Sequence, residues 1–152
     1  MNIKLHYFAG RGVGEPIRLT FAVANVAFED IRYLTSDSVW RDELKSKLPF
    51  GQLPALEIDG VFIAQTDSCG RLAARLAKLY PEDAIKAAES DMIVVHQAEI
   101  QKAIVRLSYD GVPGAQGTVM VPESKRNALI KEWFDTALPN LLCRLEAICG
   151  PA

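Results

Sequence analysis

The spacing of apolar residues changes from strand-like to helix-like within the first part of the chain. In residues 2–8, NIKLHYF, Ile, Leu and Tyr occupy every second position, a period of two that predicts a β-strand. The glycine-rich stretch 9–14 suits a tight turn, and Glu15-Pro16 predicts a helix start, because proline fits a first helical turn and an acid is stabilised near its positive end. We expect this helix to end near Asn25, ahead of a second alternating strand over residues 28–33.

A β-hairpin is predicted at Asp59-Gly60, which joins the apolar runs Ala55–Ile58 and Val61–Ala64. Pro54 fits the start of the first run, because proline lacks a backbone donor and is excluded from the middle of a sheet. The bond before Pro54 is either cis, as in some tight turns with a function, or trans, which is the more common state. With a cis bond, the backbone of Leu53 would face outward at the sheet margin and could hold an extended peptide by strand-like hydrogen bonds.

Helical segments are expected on both sides of this hairpin. The polar stretch 36–47 should be helical in part. After the hairpin, a helix is expected to begin at Thr66 or Asp67, either of which can cap it, and to run to about Leu79, where Tyr80-Pro81 stops it. The order β-α-β-(α)-β-β-α is typical of a thioredoxin-like domain.

The remainder of the chain has the apolar spacing of long helices, over residues 82–109 and 123–148. Residues 110–122 form a Gly- and Pro-rich break between them, and Pro139 should kink the second helix. The predicted fold is therefore α/β and has two parts: a thioredoxin-like N-terminal domain over residues 1–80 and an all-α C-terminal domain, with its first helices only, over residues 82–152.

Composition excludes several classes of protein. The 152 residues are 49% hydrophobic and 24% charged with a net charge of −2, which argues against a nucleic-acid or anionic-membrane partner. No apolar run approaches transmembrane length, and the first residues begin no signal peptide. Cys69, Cys143 and Cys149 are scattered, without CxxC or metal-ligand spacing, so we expect no metal and a reduced, cytoplasmic protein.

The residues that suggest chemistry occur in a specific order: Tyr7-Phe8, Arg11-Gly12, Glu15-Pro16-Ile17-Arg18, Trp40, Lys45, Gln52-Leu53-Pro54 and Gln65-Thr66. In this order and spacing the chain resembles the cytosolic glutathione transferases, and especially their tyrosine-type pi and sigma groups. The resemblance covers the whole chain and is most specific over residues 1–80. No CxxC stands at the first helix, which excludes the dithiol chemistry of thioredoxins and glutaredoxins.

The resemblance implies that glutathione is the co-substrate. Tyr7 would be the catalytic residue, whose hydroxyl donates a hydrogen bond to the glutathione sulfur and thereby favours the thiolate. Leu53, ahead of Pro54, would pair its backbone with the cysteinyl unit. Gln65 and Thr66 would hold the γ-glutamyl carboxylate at the start of a helix; Thr66 could instead be a plain N-cap, or serve both roles.

Four further residues complete the implied glutathione site. Trp40 and Lys45 match the positions that hold the glycyl carboxylate, and Lys45 fits the family's spacing better than Trp40. Gln52 belongs to the same set. Glu99 lies where related enzymes carry an aspartate that reaches the γ-glutamyl amine across a dimer interface, but an ordinary surface glutamate is an equal alternative.

The resemblance also implies a second-substrate wall and a homodimer. The wall for the electrophile would comprise Phe8, Val13, Ile104 and Tyr109. The family often carries arginine where this chain has Val13, so the second-substrate site should be more apolar and give the thiolate less help. Phe50 occupies the aromatic position that inserts into the partner subunit, which favours a two-fold homodimer.

Two functional classes stay open on the sequence. One is an enzyme that conjugates glutathione to small electrophiles, or isomerises a substrate with it. The other is a non-catalytic structural or binding relative, as lens crystallins of this fold are. The chain stops soon after its second long helix, where family members continue; we expect a fragment, with a naturally short form or completion by oligomerisation as alternatives. Cys69 could have a lowered pKa at its helix start, but is more often a small buried filler.

Overall fold

The structure is a computed structural model. It describes the backbone of residues 1–108 and 123–150 and the side chains of residues 1–102, 125 and 127–150. It divides into two compact units, Met1–Ala87 and Ala88–Ala152. Among the described residues, no helix has both the length and the apolarity needed to cross a membrane.

The first unit contains a four-stranded mixed sheet. Its strands are β1 Ile3–Phe8, β2 Glu29–Tyr33, β3 Ala55–Ile58 and β4 Val61–Ala64. Their order across the sheet is β2-β1-β3-β4; β2 runs parallel to β1, whereas β3 and β4 are antiparallel to their neighbours. This is the predicted thioredoxin-like arrangement, and the predicted hairpin is confirmed at both strand bounds.

Helices connect and cover the strands. A 3-10 turn at Gly12–Gly14 leads into α1, Glu15–Val23, and α2 spans Thr66–Leu76. The expected partly helical stretch consists of a π-helical segment, Val39–Leu44, followed by a 3-10 turn, Lys45–Lys47. The predicted order of elements is therefore confirmed, although α2 ends three residues earlier than expected.

Both faces of the sheet are buried. On one face, α1 and α2 enclose a core of Ile3, Leu5, Ile17, Phe21, Leu56, Cys69 and Ala73. On the other face, a second cluster is built from Tyr33, Leu44, Leu48 and Ala55. His6 belongs to this second face and is also buried, hydrogen-bonded to the Tyr33 hydroxyl (2.8 Å) and to Glu57 (2.9 Å). Alternation thus placed β1 correctly, but on its second face His6 is buried, while Lys4 and Phe8 are partly exposed.

The second unit is helical, as expected. It contains most of α3, Ala84–Ser108, then α4, Glu123–Glu132, a π-helical segment, Trp133–Ala137, and α5, Leu138–Cys149. Ile100 and Trp133 are buried, whereas Met92 and Val95 on α3 are about half exposed. Pro139 is the second residue of α5, just after the irregular π-helical turn. The predicted break at 110–122 lies outside the described residues.

Candidate active site

The register of the sheet brings the predicted site segments to one end of it. Ala55, the first residue of β3, pairs with His6 of β1 and with Ala64, the last residue of β4. Tyr7 directly follows His6, and Gln65 directly follows Ala64. These two residues and the loop before β3 therefore share one end of the sheet.

Tyr7 lies in a turn shaped around its ring. Its hydroxyl oxygen accepts a hydrogen bond from the backbone N–H of Val13 (3.2 Å). A Cβ at Gly12 would stand 2.5 Å from the Tyr7 hydroxyl, and a Cβ at Gly14 would stand 2.5 Å from ring atom Cδ1. Gly12 also has a φ of +41°, which favours glycine. The two glycines are what allow the turn to approach Tyr7 this closely.

This arrangement leaves the Tyr7 proton available. A hydroxyl has one donor and can accept two hydrogen bonds. Because Val13 donates to the oxygen, the Tyr7 O–H can still donate to a further group. A thiolate placed there would be stabilised by a hydrogen bond from the Tyr7 hydroxyl more than the neutral thiol would be. This difference favours the ionised form.

Arg18, on α1, is a buried cation beside Tyr7 that the sequence suggested only as part of a motif. It is 7% exposed, and its Nε contacts both carboxylate oxygens of Asp30 on β2 (3.1 and 3.0 Å). Its Nη1 contacts Glu15 (3.0 Å). Burial by itself would lower the pKa of Arg18, but the hydrogen bonds and charges of Asp30 and Glu15 outweigh this and raise it.

The same guanidinium also holds the backbone around Tyr7. It donates to the carbonyl oxygens of Phe8 (3.3 Å) and Gly10 (3.1 Å), and its central carbon lies 5.7 Å from the centre of the Tyr7 ring. That distance is within the range of cation–π attraction. Sequence spacing alone could not show this, because the partners come from a strand, a loop and a helix.

The Leu53–Pro54 bond is cis, the less common of the two expected states. Pro54 is buried at the start of β3, and Leu53 packs on the second cluster. Cys69, on α2, lies beneath this corner and donates its S–H to the carbonyl oxygen of Ile63 (3.2 Å). Burial raises the pKa of Cys69 to about 11, so the idea of a lowered pKa at the helix start was wrong and Cys69 is a core filler.

The side chains of Gln52 and Gln65 meet beside the N-terminus of α2. The side-chain amide of Gln65 donates to Oε1 of Gln52 (3.4 Å). Gln65 has a φ of +73°, uncommon for a residue with a side chain, and Thr66 begins the helix directly after it. Local strain of this kind often occurs at binding sites. The first backbone N–H groups of a helix favour an anion.

Trp40 and Lys45 lie one π-helical turn apart, since the N–H of Lys45 donates to the carbonyl of Trp40. Lys45 is exposed, and its side chain runs beside Gly51, where an added Cβ would be 3.5 Å from Lys45 Cγ. The Trp40 ring packs edge-on against Phe8, with ring centres 5.6 Å apart. Phe8 is therefore partly engaged with the second cluster.

The remaining predicted residues are dispersed. Glu99 is on α3, in the second unit, 3.6 Å from Nδ1 of His96. Phe50 is 64% exposed. The side chain of Ile104 and all of Tyr109 lie outside the described residues. Within the part of the chain that the structure describes, no three His, Cys, Asp or Glu side chains are grouped as a metal ion would require.

Known proteins resemble this chain in sequence and in fold. Residues 3–67 match the family model described as glutathione S-transferase, N-terminal domain. The solved structure of NaGST1 is 30% identical with a TM-score of 0.65, covering 89% of this chain and 68% of that one. The chain belongs to the cytosolic glutathione S-transferase family.

Two further proteins are similar to this chain, one in sequence over about half of it and one in structure over most of it. Glutathione S-transferase 2 of Caenorhabditis elegans is 51% identical over 78 residues, which are 49% of this chain and 38% of that protein. The chain thus spans well under half the length of this curated relative. The solved structure of monomeric Na-GST-3, from the hookworm Necator americanus, is 27% identical with a TM-score of 0.64, covering 89% of this chain and 65% of that one.

Proposed function

We propose that the protein is a glutathione transferase in which Tyr7 stabilises the glutathione thiolate for attack on small electrophiles. The thiol proton is lost to solvent, the sulfur electron pair forms a bond to an electrophilic carbon, and a leaving group departs with its bonding pair. The observation that supports this most strongly is the Tyr7 hydroxyl, which accepts from Val13 N–H and keeps its own proton for a sulfur at the sheet end.

The site offers a partner for each part of the tripeptide. The backbone of Leu53, next to the cis bond, would pair with the cysteinyl unit. Gln65 and Thr66 at the start of α2, with Gln52 beside them, would receive the γ-glutamyl carboxylate. Lys45 and Trp40 would contact the glycyl carboxylate. Glu99 would reach the γ-glutamyl amine of a glutathione bound to the other subunit of the dimer.

For the electrophile, the first unit would supply Phe8 and Val13, while Ile104 and Tyr109 stay predictions from the sequence. An apolar Val13 favours apolar electrophiles. Assignment to the tyrosine-type pi or sigma group rests on the same Tyr7-centred motif. A role in detoxification and a cytoplasmic location belong to the same proposal.

A homodimer is proposed on the exposure of Phe50. An aromatic side chain that is 64% exposed on a Pro/Gly loop is a favourable residue for an interface. The structure of Na-GST-3 is that of a monomer, so measuring the oligomeric state tests the proposed homodimer directly.

The proposal is tested by comparing the wild type with Tyr7→Phe. Both proteins should bind immobilised glutathione. With 1-chloro-2,4-dinitrobenzene as the electrophile, Tyr7→Phe should lower kcat roughly ten- to a hundredfold, because a hydrogen bond to a charged group is worth about 1.5–3 kcal/mol. The matched control is Tyr33→Phe, which removes a hydroxyl bonded to His6 and should cost stability while sparing the rate.

Two outcomes would contradict the proposal in different ways. Equal kcat values for wild type and Tyr7→Phe would remove Tyr7 from the mechanism. Glutathione binding without any turnover would favour the second class, a non-catalytic binding or structural protein.

A further inference from the structure

Arg18 joins the two ends of the segment that surrounds Tyr7. A single nitrogen, Nη1, contacts the carbonyl of Gly10 (3.1 Å) and the carboxylate of Glu15 (3.0 Å). Between these two residues lies the Gly12–Gly14 turn, whose Val13 N–H donates to the Tyr7 hydroxyl. The geometry of that donor therefore depends on a segment held at both ends by one guanidinium.

The other donors of Arg18 fix this segment to the sheet. Nη2 contacts the carbonyl of Phe8 at the end of β1 (3.3 Å), and Nε contacts Asp30 on β2. A planar guanidinium can serve several acceptors at once, which an ammonium on a flexible chain cannot do in the same geometry. Since the guanidinium also lies 5.7 Å from the centre of the Tyr7 ring, it supports the ring itself.

We propose that Arg18 is a positioning residue for the transferase reaction: it fixes the turn and the ring on which the placement of the Tyr7 hydroxyl depends. The inference rests on the proposed function, in which that hydroxyl meets the glutathione sulfur. The hydrogen bonds of Arg18 go to Asp30, Glu15 and two backbone carbonyls, so it is assigned no direct contact with sulfur or electrophile. Its effect on the rate passes through Tyr7.

The first test reads the position of Tyr7 without any turnover. The full chain is labelled with ¹³C-tyrosine, and the Tyr7 signal is identified by its loss in Tyr7→Phe. Arg18→Lys keeps the charge but not the set of contacts, so it should shift the Tyr7 signal. Arg32→Lys is the matched control, because the exposed Arg32 pairs with the same Asp30 (2.7 Å), and it should leave the Tyr7 signal in place.

The second test is a double-mutant comparison of rates. Arg18→Lys should lower kcat for 1-chloro-2,4-dinitrobenzene roughly tenfold or more while changing KM for glutathione little, because a displacement of about 1 Å is enough for losses of this size. In the Tyr7→Phe background the same substitution should have almost no further effect on kcat. A purely structural role predicts that the two losses multiply.

Each outcome decides the inference. An unmoved Tyr7 signal in folded Arg18→Lys, or rate losses that multiply, would overturn it. If Arg18→Lys does not fold, Asp30→Asn, which keeps the shape of the carboxylate and weakens the anchor, should shift the Tyr7 signal in its place, and an unmoved signal there would also overturn it. If the wild type shows no turnover, the proposed function fails, and the Tyr7 signals alone decide the role of Arg18.

Discussion

Replacing Gly14 with alanine would test how closely the turn must approach Tyr7. Gly14 is buried, and an added Cβ would lie 2.5 Å from Cδ1, 2.7 Å from Cγ and 3.1 Å from Cβ of Tyr7. Gly14 has φ −81° and ψ −21°, which alanine adopts freely. The substitution therefore adds a steric contact without backbone strain.

The size of the effect follows from these distances. Carbon atoms in contact are about 3.5–4.0 Å apart, so the ring must withdraw by about 1 Å. Overpacking of this kind costs about 1–3 kcal/mol of stability. A misplacement of about 1 Å at a reacting group can cost about a hundredfold in rate, so Gly14→Ala should lower kcat by roughly ten- to a hundredfold.

The assay is steady-state turnover of 1-chloro-2,4-dinitrobenzene, with circular dichroism to verify folding. Gly10→Ala is the control: it adds the same methyl group in the same loop, where nothing lies within 4 Å of the new atom, and should keep the wild-type rate. A Gly14→Ala protein that is folded and retains wild-type kcat would refute the claim that the turn positions Tyr7 for catalysis.

Three more predictions concern a glutathione-binding residue, the proposed dimer contact and a buried cysteine. Lys45→Gln should raise KM for glutathione by up to about fivefold and leave kcat unchanged, because an exposed ion pair contributes at most about 1 kcal/mol; an unchanged KM would exclude Lys45 from binding. Phe50→Ala should weaken a dimer at least about thirtyfold in sedimentation equilibrium, whereas Leu34→Ala, which removes a side chain of similar exposure (59%), should not. Equal effects would exclude Phe50 as the contact. With its pKa raised to about 11, folded Cys69 keeps a proton that the unfolded chain loses near pH 8.5, so stability should fall as pH rises through this window, and less so in Cys69→Ala. The free energy of unfolding is measured by urea titration at each pH. The same dependence on pH in wild type and Cys69→Ala would contradict this.

Local patterns predicted the hairpin and the sheet well. Asp59 and Gly60 both have positive φ values, 48° and 87°, as expected of a two-residue hairpin turn. The order of elements around it followed from periods of two and of 3.6, which depend on neighbouring residues only. The resemblance then supplied the candidate site, of which the sheet register brings Tyr7, the loop before β3 and Gln65 to one end of the first unit.

Contacts between distant segments could not be predicted in this way. His6 occupies a polar position of an alternating strand, yet it is buried because Tyr33 and Glu57 supply hydrogen-bond partners from two other strands. Arg18 is a charged residue on α1 whose burial depends on its partner Asp30, twelve positions away on β2. A single sequence does not show which polar residues will find such partners, and burial without them would be costly.

The most direct test of the account is a titration of the glutathione thiol while it is bound to the protein. The ultraviolet absorbance of the thiolate is followed against pH for the wild type and for Tyr7→Phe. The wild type should lower the thiol pKa by at least about one unit from its free value of about 8.5, and Tyr7→Phe should return it most of the way. The same thiol pKa in both proteins would contradict the account.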